Sequence, residues 1–222
     1  MSDDHDFEPA HGLPELLPPN ERLLWQGSPD WKRMACDAMH IRGLAIYFAV
    51  LLAWRGANSL SNGHGVPQAL VAVLWLLPIA LLALSTIALL AWLTARTAVY
   101  TVTNRRVVMR VGIVLTITFN LPFKAIESAS LHARTDGSGD IALALSGSDR
   151  IAYVNLWPHA RPWKIKKTQP MLRALPDARP VAALLAGALA ESAGMPRPAL
   201  SLVPGTGGAR GERGAQPDAM VA

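Results

Sequence analysis

Cysteine occurs once in this chain, at Cys36, which excludes an intrachain disulfide and any multi-cysteine zinc or iron–sulfur site. A lone thiol in a pre-span stretch with no activating partner reads as a packed or lipid-facing side chain. Charge is thin as well, at 17% against 51% hydrophobic residues, and it vanishes altogether between Gly56 and Ala95. Residues 69–93, the core of that run, are long enough to cross a bilayer as a helix, since about 20 apolar residues suffice. The N-terminus lacks an early apolar core and carries Asp3, Asp4, Asp6 and Glu8, so a secretory signal is not expected. Catalytic patterns are missing too. There is no Gly-x-Ser-x-Gly elbow, no phosphate loop ending in Gly-Lys, and no calcium loop with its terminal glutamate. Asp136 and Asp140 flank a Gly-Ser-Gly turn and are explained by turn formation. An enzyme is therefore not expected, and neither is a cofactor or a bound metal.

What is present begins with a hairpin. Residues 43–54 are uncharged and, extended through 60, give eighteen residues, about 27 Å of helix. Arg55 then sits near the outer end, where its stem can snorkel to headgroups. The polar stretch 58–67 makes the turn, and the second span follows with Pro78 inside it. Trp54 and Trp92 fall where an interfacial belt belongs. Lys32, Arg33 and Arg42 precede the hairpin, and Arg96, Arg105, Arg106 and Arg110 follow it, while the connection offers only Arg55. The positive-inside rule then places both termini in the cytoplasm, and two spans must in any case return the chain to one side.

Flanking segments differ in sign. Residues 1–41 hold eight acids and three bases; residues 97–195 hold twelve bases and six acids. Such a basic domain suits anionic headgroups or an acidic protein face, or simply satisfies the positive-inside rule. Its arginines are scattered and accompany no nucleic-acid motif, so nucleic acid is not an expected partner. Gly12 to Pro29 contains four prolines, which predicts an extended arm whose Leu23, Leu24 and Trp25 need burial against the C-terminal domain. Asp30 is placed to cap a short amphipathic helix from Trp31 to His40 at the membrane surface.

After the hairpin the apolar runs shorten and alternate. They predict strands at 98–103, 107–111, 115–120, 126–132, 141–145 and 151–156, with hairpin loops at 136–140 and 147–150. A third span across 107–121 is excluded by Arg110, Gly112, Asn120 and the threonines. Asp177 then starts a helix to about Glu191, with Pro180 in its first turn, Leu184, Leu185 and Leu189 facing the sheet, and Gly194, Pro196 and Pro198 ending it.

The whole reads as an α+β membrane protein. Residues 1–40 form a cytoplasmic arm, and residues 41–95 a transmembrane hairpin with spans at 41–60 and 67–95. Residues 96–194 form an antiparallel β-domain closed by a C-terminal helix, and 195–222 a tail too rich in Gly, Pro, Ala and Arg to order. Between strands and helix lies Trp157-Pro-His-Ala-Arg-Pro-Trp-Lys-Ile-Lys-Lys167, a loop in which Trp157, His159, Arg161, Trp163, Lys164, Lys166 and Lys167 are the candidate docking residues for a partner or lipid. Its tryptophans suit an interface, or else they pack over the open end of the barrel. His40, at the cytoplasmic edge of the first span, lies at a depth where imidazole can ligate a pigment magnesium, though an interfacial histidine is the plainer reading.

Tyr100-Thr-Val-Thr-Asn-Arg-Arg-Val-Val-Met-Arg110, followed by Leu121-Pro-Phe-Lys-Ala-Ile126, resembles bacterial pleckstrin-homology domains attached to membrane hairpins. Leu23-Leu-Trp-Gln-Gly-Ser-Pro29, Tyr47-Phe48, Asn155 to Trp163 and Pro170 to Asp177 resemble, more narrowly, the PuhB-type photosynthetic complex assembly proteins of purple bacteria. The resemblance covers about residues 7–192. It implies a pleckstrin-homology-like fold in a multi-pass protein of the inner (intracytoplasmic) membrane. It also implies an accessory role in building the photosynthetic reaction centre and its core light-harvesting antenna, with reaction-centre subunits, above all the H subunit, the core antenna and membrane lipids as partners, and self-association into a homodimer. The competing expectation is an anionic-lipid-binding module with a general role in membrane homeostasis, gripping headgroups through Lys164, Lys166 and Lys167.

Overall fold

The computed structural model describes residues 17–146, 151–164 and 167–194. The expected tail at 195–222, the 147–150 hairpin loop, His5, His11, Lys166, Pro196 and Pro198 lie outside the described residues. Two long helices, α2 (Ile41–Ser61) and α3 (Val66–Thr97), pack antiparallel, and α3 continues through Pro78. Both are long and apolar enough to cross a membrane. Almost none of their apolar surface is covered by the rest of the chain, and Trp75 is 78% exposed. Core helices of a soluble domain hide such residues; these two helices do not.

An antiparallel β-domain of two sheets adjoins the end of α3. The first has the order β1 (Leu23–Gly27), β2 (Val99–Thr103), β3 (Arg106–Val111), β4 (Ile117–Pro122). A 3₁₀ turn at Phe123–Ala125 leads into the second, β5 (Ile126–Ala133), β6 (Gly139–Leu145), β7 (Met171–Leu175). Helix α5 (Ala178–Ser192) closes the space between them. Alternation decides the core: Tyr100 and Val102, Val107 and Met109, Ile141 and Leu143 all point inward to meet Val181 and Leu185. Gly194, with φ +66°, stops α5 in the left-handed conformation that glycine adopts freely.

The arm does more than cover this core. Its β1 pairs with β2, Gly27 opposite Tyr100 and Gln26 opposite Thr101, so the sheet of the 96–194 segment takes its edge strand from residues before the hairpin. Leu24 and Trp25 pack on the core as expected, whereas Leu23 stays exposed. The Thr-Asn-Arg-Arg turn explains the pairing. Asn104 Oδ1 accepts from the Arg22 N–H at 2.9 Å, and its Nδ2 donates to the Asn20 carbonyl at 3.1 Å. Arg106 clamps Glu21 through Nε at 2.7 Å and Nη2 at 2.9 Å. Burial works to raise the Glu21 carboxyl, but the hydrogen bonds from Arg106 and Thr103 outweigh it and hold the group below its ordinary range.

The pre-span helix α1 (Trp31–Arg33) is capped by Asp30, whose Oδ1 accepts from the Lys32 N–H, and widens into a π-helical turn at Met34–Ala38. Rather than lying free on a surface, it buries Met34 and Ala35 against Ala91 of α3 and Ala174 of β7. Three further expectations are corrected. Residues 151–156 form no strand: Tyr153–Leu156 is a helical turn, α4, because only Leu156 of it is buried while Val154 faces out. The strand beside β6 is β7 instead, whose buried Arg173 hides its strand character in the sequence. The third concerns both ends of existing elements. β4 begins at Ile117, not 115, and Asp177 stands at the N-cap of α5 with no capping hydrogen bond from its side chain.

Candidate functional site

The loop that holds the expected docking residues is anchored from beneath by a buried polar cluster. Its first half is laced to the start of β7: the Met171 N–H donates to the His159 carbonyl at 2.8 Å, and the Arg161 N–H to the Gln169 carbonyl at 2.9 Å. Ala160 and Pro170 form a bridge between these bonds. Pro158, after a cis Trp157–Pro158 peptide, presents its carbonyl to Arg173 Nη1 at 3.0 Å. His159 turns inward and is buried, with Nδ1 2.5 Å from the Tyr100 hydroxyl and its ring edge-on to the tyrosine.

Proton positions in this cluster follow from the donors. The Arg173 N–H donates to the Tyr100 oxygen at 3.2 Å, so the hydroxyl proton is free to go to His159 Nδ1. Burial first, and the nearby Arg173 charge second, push the imidazole down to about 3, so at neutral pH it is uncharged; with the hydroxyl donating to Nδ1, its own proton sits on Nε2, a buried atom with no hydrogen-bond partner among the described residues. Burial also pushes the Tyr100 hydroxyl upward, which keeps it a donor. His159 is therefore a positioning residue inside the fold and not part of the docking surface, which corrects its place among the expected contacts. No sequence signal marked Tyr100 or Arg173 as its partners, which lie 59 and 14 residues away.

The remaining candidates among the described residues face solvent. Trp163 is 94% exposed with φ +64° and Trp157 is 54% exposed, and neither packs against the core that α5 closes. Val154 is exposed as well. Arg161 and Lys164 are exposed beside them, the Arg161 guanidinium donating to Gln169 Oε1 at 3.0 Å. Lys167 approaches Glu127 of β5 at 3.4 Å, and Glu127 lines a groove of about 590 Å³ between α5 and β5. Two large amphipathic aromatics beside bases, on a loop pinned at both ends, make a surface suited to binding rather than to chemistry.

A second polar cluster, not foreseen from the sequence, ties the pre-span helix to the β5–β6 hairpin. Arg33 pairs with Asp136, and Arg134 lies between Asp37 at 3.1 Å and Asp140 at 2.8 Å. Asp140 also accepts from the Ala174 N–H at 2.8 Å, while Asp136 folds back onto Ser138. Both aspartates thus have structural work, and among the described residues no three His, Cys, Asp or Glu side chains gather as a metal site. The other histidines remain apart: His40 is exposed at φ +56° before α2, His64 Nδ1 meets the Ser59 carbonyl at 3.2 Å, and His132 is exposed on β5.

Comparison with known proteins adds two findings. The family model described as the bacterial PH domain matches residues 44–189, which takes in most of the helical hairpin, strands β2 to β7 and most of α5, but not β1. An "uncharacterized 23.7 kDa protein in puhA 5′region" of Rhodobacter capsulatus is 43% identical over 191 residues, covering 85% of this chain and 89% of that protein. No solved structure matches the chain.

Proposed function

Because the chain belongs to the bacterial PH domain family, we propose that it is a non-catalytic, membrane-anchored assembly factor for the photosynthetic reaction centre and its core antenna. In this reading α2 and α3 cross the inner membrane, both termini are cytoplasmic, and the β-domain docks a reaction-centre subunit. The observation that carries it is the exposed Trp157–Trp163 rim with Arg161 and Lys164, held on the buried Tyr100–His159–Arg173 cluster. Rigid aromatic anchors bind a partner at low entropic cost, and neighbouring bases steer an acidic face toward them. The similarity to a Rhodobacter capsulatus protein whose name sets it in the 5′ region of puhA supports a photosynthesis-related role. The headgroup-gripping alternative, through Lys164, Lys166 and Lys167, is weakened by the pairing of Lys167 with Glu127.

Its test is a membrane pull-down from a photosynthetic host. Deleting the gene should lower assembled reaction-centre and core-antenna levels while leaving pigment synthesis intact. Changing Arg161, Lys164, Lys166 and Lys167 together to alanine, or Trp157 and Trp163 to serine, should reduce recovery of reaction-centre subunits without loss of insertion. Undiminished recovery by both variants, with normal complex levels, refutes this surface as the docking site. Sedimentation of the purified protein's β-domain rim with anionic liposomes that depends on the same lysines would favour the lipid reading instead.

A further inference from the structure

We propose that the β3–β4 hairpin tip, Ile113 to Leu115, inserts into the bilayer interface as a third membrane contact beside the two helices. This rests on the reading that α2 and α3 cross the membrane. The argument is topological first. Gly27 ends β1 opposite Tyr100 at the start of β2, and Val99 pairs with Arg110 near the end of β3. The end of β1, the start of β2 and the end of β3 therefore share one edge of the sheet, and both helices join the domain at that edge. β3 packs against α3 there. The last pair of the hairpin is Val111 with Ile117, so Val114 projects past the edge by at most about 10 Å, toward the spans.

Composition of the tip agrees with that placement. Gly112-Ile-Val-Leu-Thr-Ile117 carries no charge, and Val114 and Leu115 are 90% and 80% exposed. Gly112, at φ +123°, makes the return so tight that a Cβ there would collide with the Leu115 carbonyl. Apolar side chains held out on a stiff turn are uncommon facing water, and a row of them beside two uncovered apolar helices continues the same surface. The flanks are those of an interface: Trp92 is exposed at the end of α3 with the Arg96 guanidinium stacked 5.2 Å over its ring, and Arg110 stands half-buried beside the tip. Arginine at that depth reaches headgroup phosphates while the residues beyond it enter the acyl region.

The experiment uses the full chain in a Cys36→Ala background, reconstituted into phosphatidylethanolamine–phosphatidylglycerol vesicles containing phosphatidylcholine spin-labelled near the top of the acyl chain, for positions 114 and 128, or near its end, for position 82. A bimane probe is attached in turn at Val114→Cys, at Leu82→Cys within α3 and at Ser128→Cys on the far part of β5. Quenching at 114 at least twofold above that at 128, with quenching also at 82, is the expected result. Quenching at 82 with 114 no different from 128 overturns the insertion and leaves the spans standing. No quenching at 82 removes the membrane reading, and the insertion falls with it. Disulfide-linked dimers through position 114, without lipid quenching, give the tip to a second copy and likewise overturn the proposal.

Discussion

Replacing His159 by phenylalanine should change how the protein responds to acid as well as how stable it is at pH 7. The native imidazole is held neutral, down to about 3, by burial and by Arg173, whereas in the unfolded chain it titrates near its ordinary value of about 6.5. Below that value the unfolded state takes up a proton that the native state refuses. Stability from this group is thus complete above about pH 6.5 and is lost as the pH falls toward 3, at about 1.4 kcal/mol per pH unit. Between pH 7 and pH 5 the loss is about 2 kcal/mol. Phenylalanine cannot titrate, but it orphans the Tyr100 proton, a cost of about 1–3 kcal/mol. The variant should therefore be less stable than the parent at pH 7, with the gap shrinking by about 2 kcal/mol at pH 5. Urea unfolding in one detergent, followed by circular dichroism with equal m-values, measures both. Glu21 and other carboxylates weaken parent and variant alike in acid, so only the difference counts. An unchanged gap at pH 5 would show that His159 is charged or solvated in the native state, and the account of the cluster would be wrong.

Leu185→Asp should unfold the β-domain, since a fully buried side chain between the sheets becomes an unpaired charge; Leu185→Ala should cost about 2–5 kcal/mol, and a protease-resistant Leu185→Asp protein would refute the core assignment. Arg106→Ala leaves the Glu21 carboxylate, held in the sheet's edge, without its bidentate partner, and should release the arm to limited proteolysis before Gly27 while the remainder of the domain resists. A reporter active only in the periplasm should work when fused at Asn62 and stay silent after Ala222; the reverse pattern removes the proposed topology.

The parts legible in the sequence are those with a long or strictly alternating signal. A forty-residue absence of charge marks α3 and the turn before it, and alternation marks β2, β3, β5 and β6 to within two residues. Leu185 could be placed in the core because helical spacing put it with Leu184 and Leu189. β7 escaped notice because Arg173 sits in its middle and prolines flank it, and the partner that makes the charge tolerable, the Pro158 carbonyl, comes from another loop. Residues 151–156 misled in the opposite way: they are apolar enough for a strand, but the edge of β6 was already taken. In the 157–167 loop the sequence left the tryptophans open between an interface and the barrel end, and it assigned His159 to the surface with the bases. Its burial depends on Tyr100 and Arg173, contacts across the fold that no local pattern announces.

The position of β1 gives the arm a purpose that composition alone does not suggest. The strand lies before the hairpin in sequence and pairs with the strand just after it, so the sheet's edge is not complete until both helices have been made. Gln26 Nε2 donates to Thr101 Oγ1 at 2.9 Å, Glu21 holds Arg106, and Asn104 holds both Asn20 and Arg22. These bonds join residues 75 to 85 positions apart, and the loop they close contains the hairpin. Pairing of β1 with β2 therefore requires the two ends of that hairpin to lie side by side on one face. A chain whose first helix had entered a membrane without the second could not form it. The same closure sets the β3–β4 tip and the 157–164 loop in fixed relation to the helices, through Tyr100, the second residue of β2, which reaches His159. Tyr100 lies three residues beyond the end of α3, so in the proposed reading the tryptophan rim that His159 anchors, and any partner it meets, stay near the point where the second span ends.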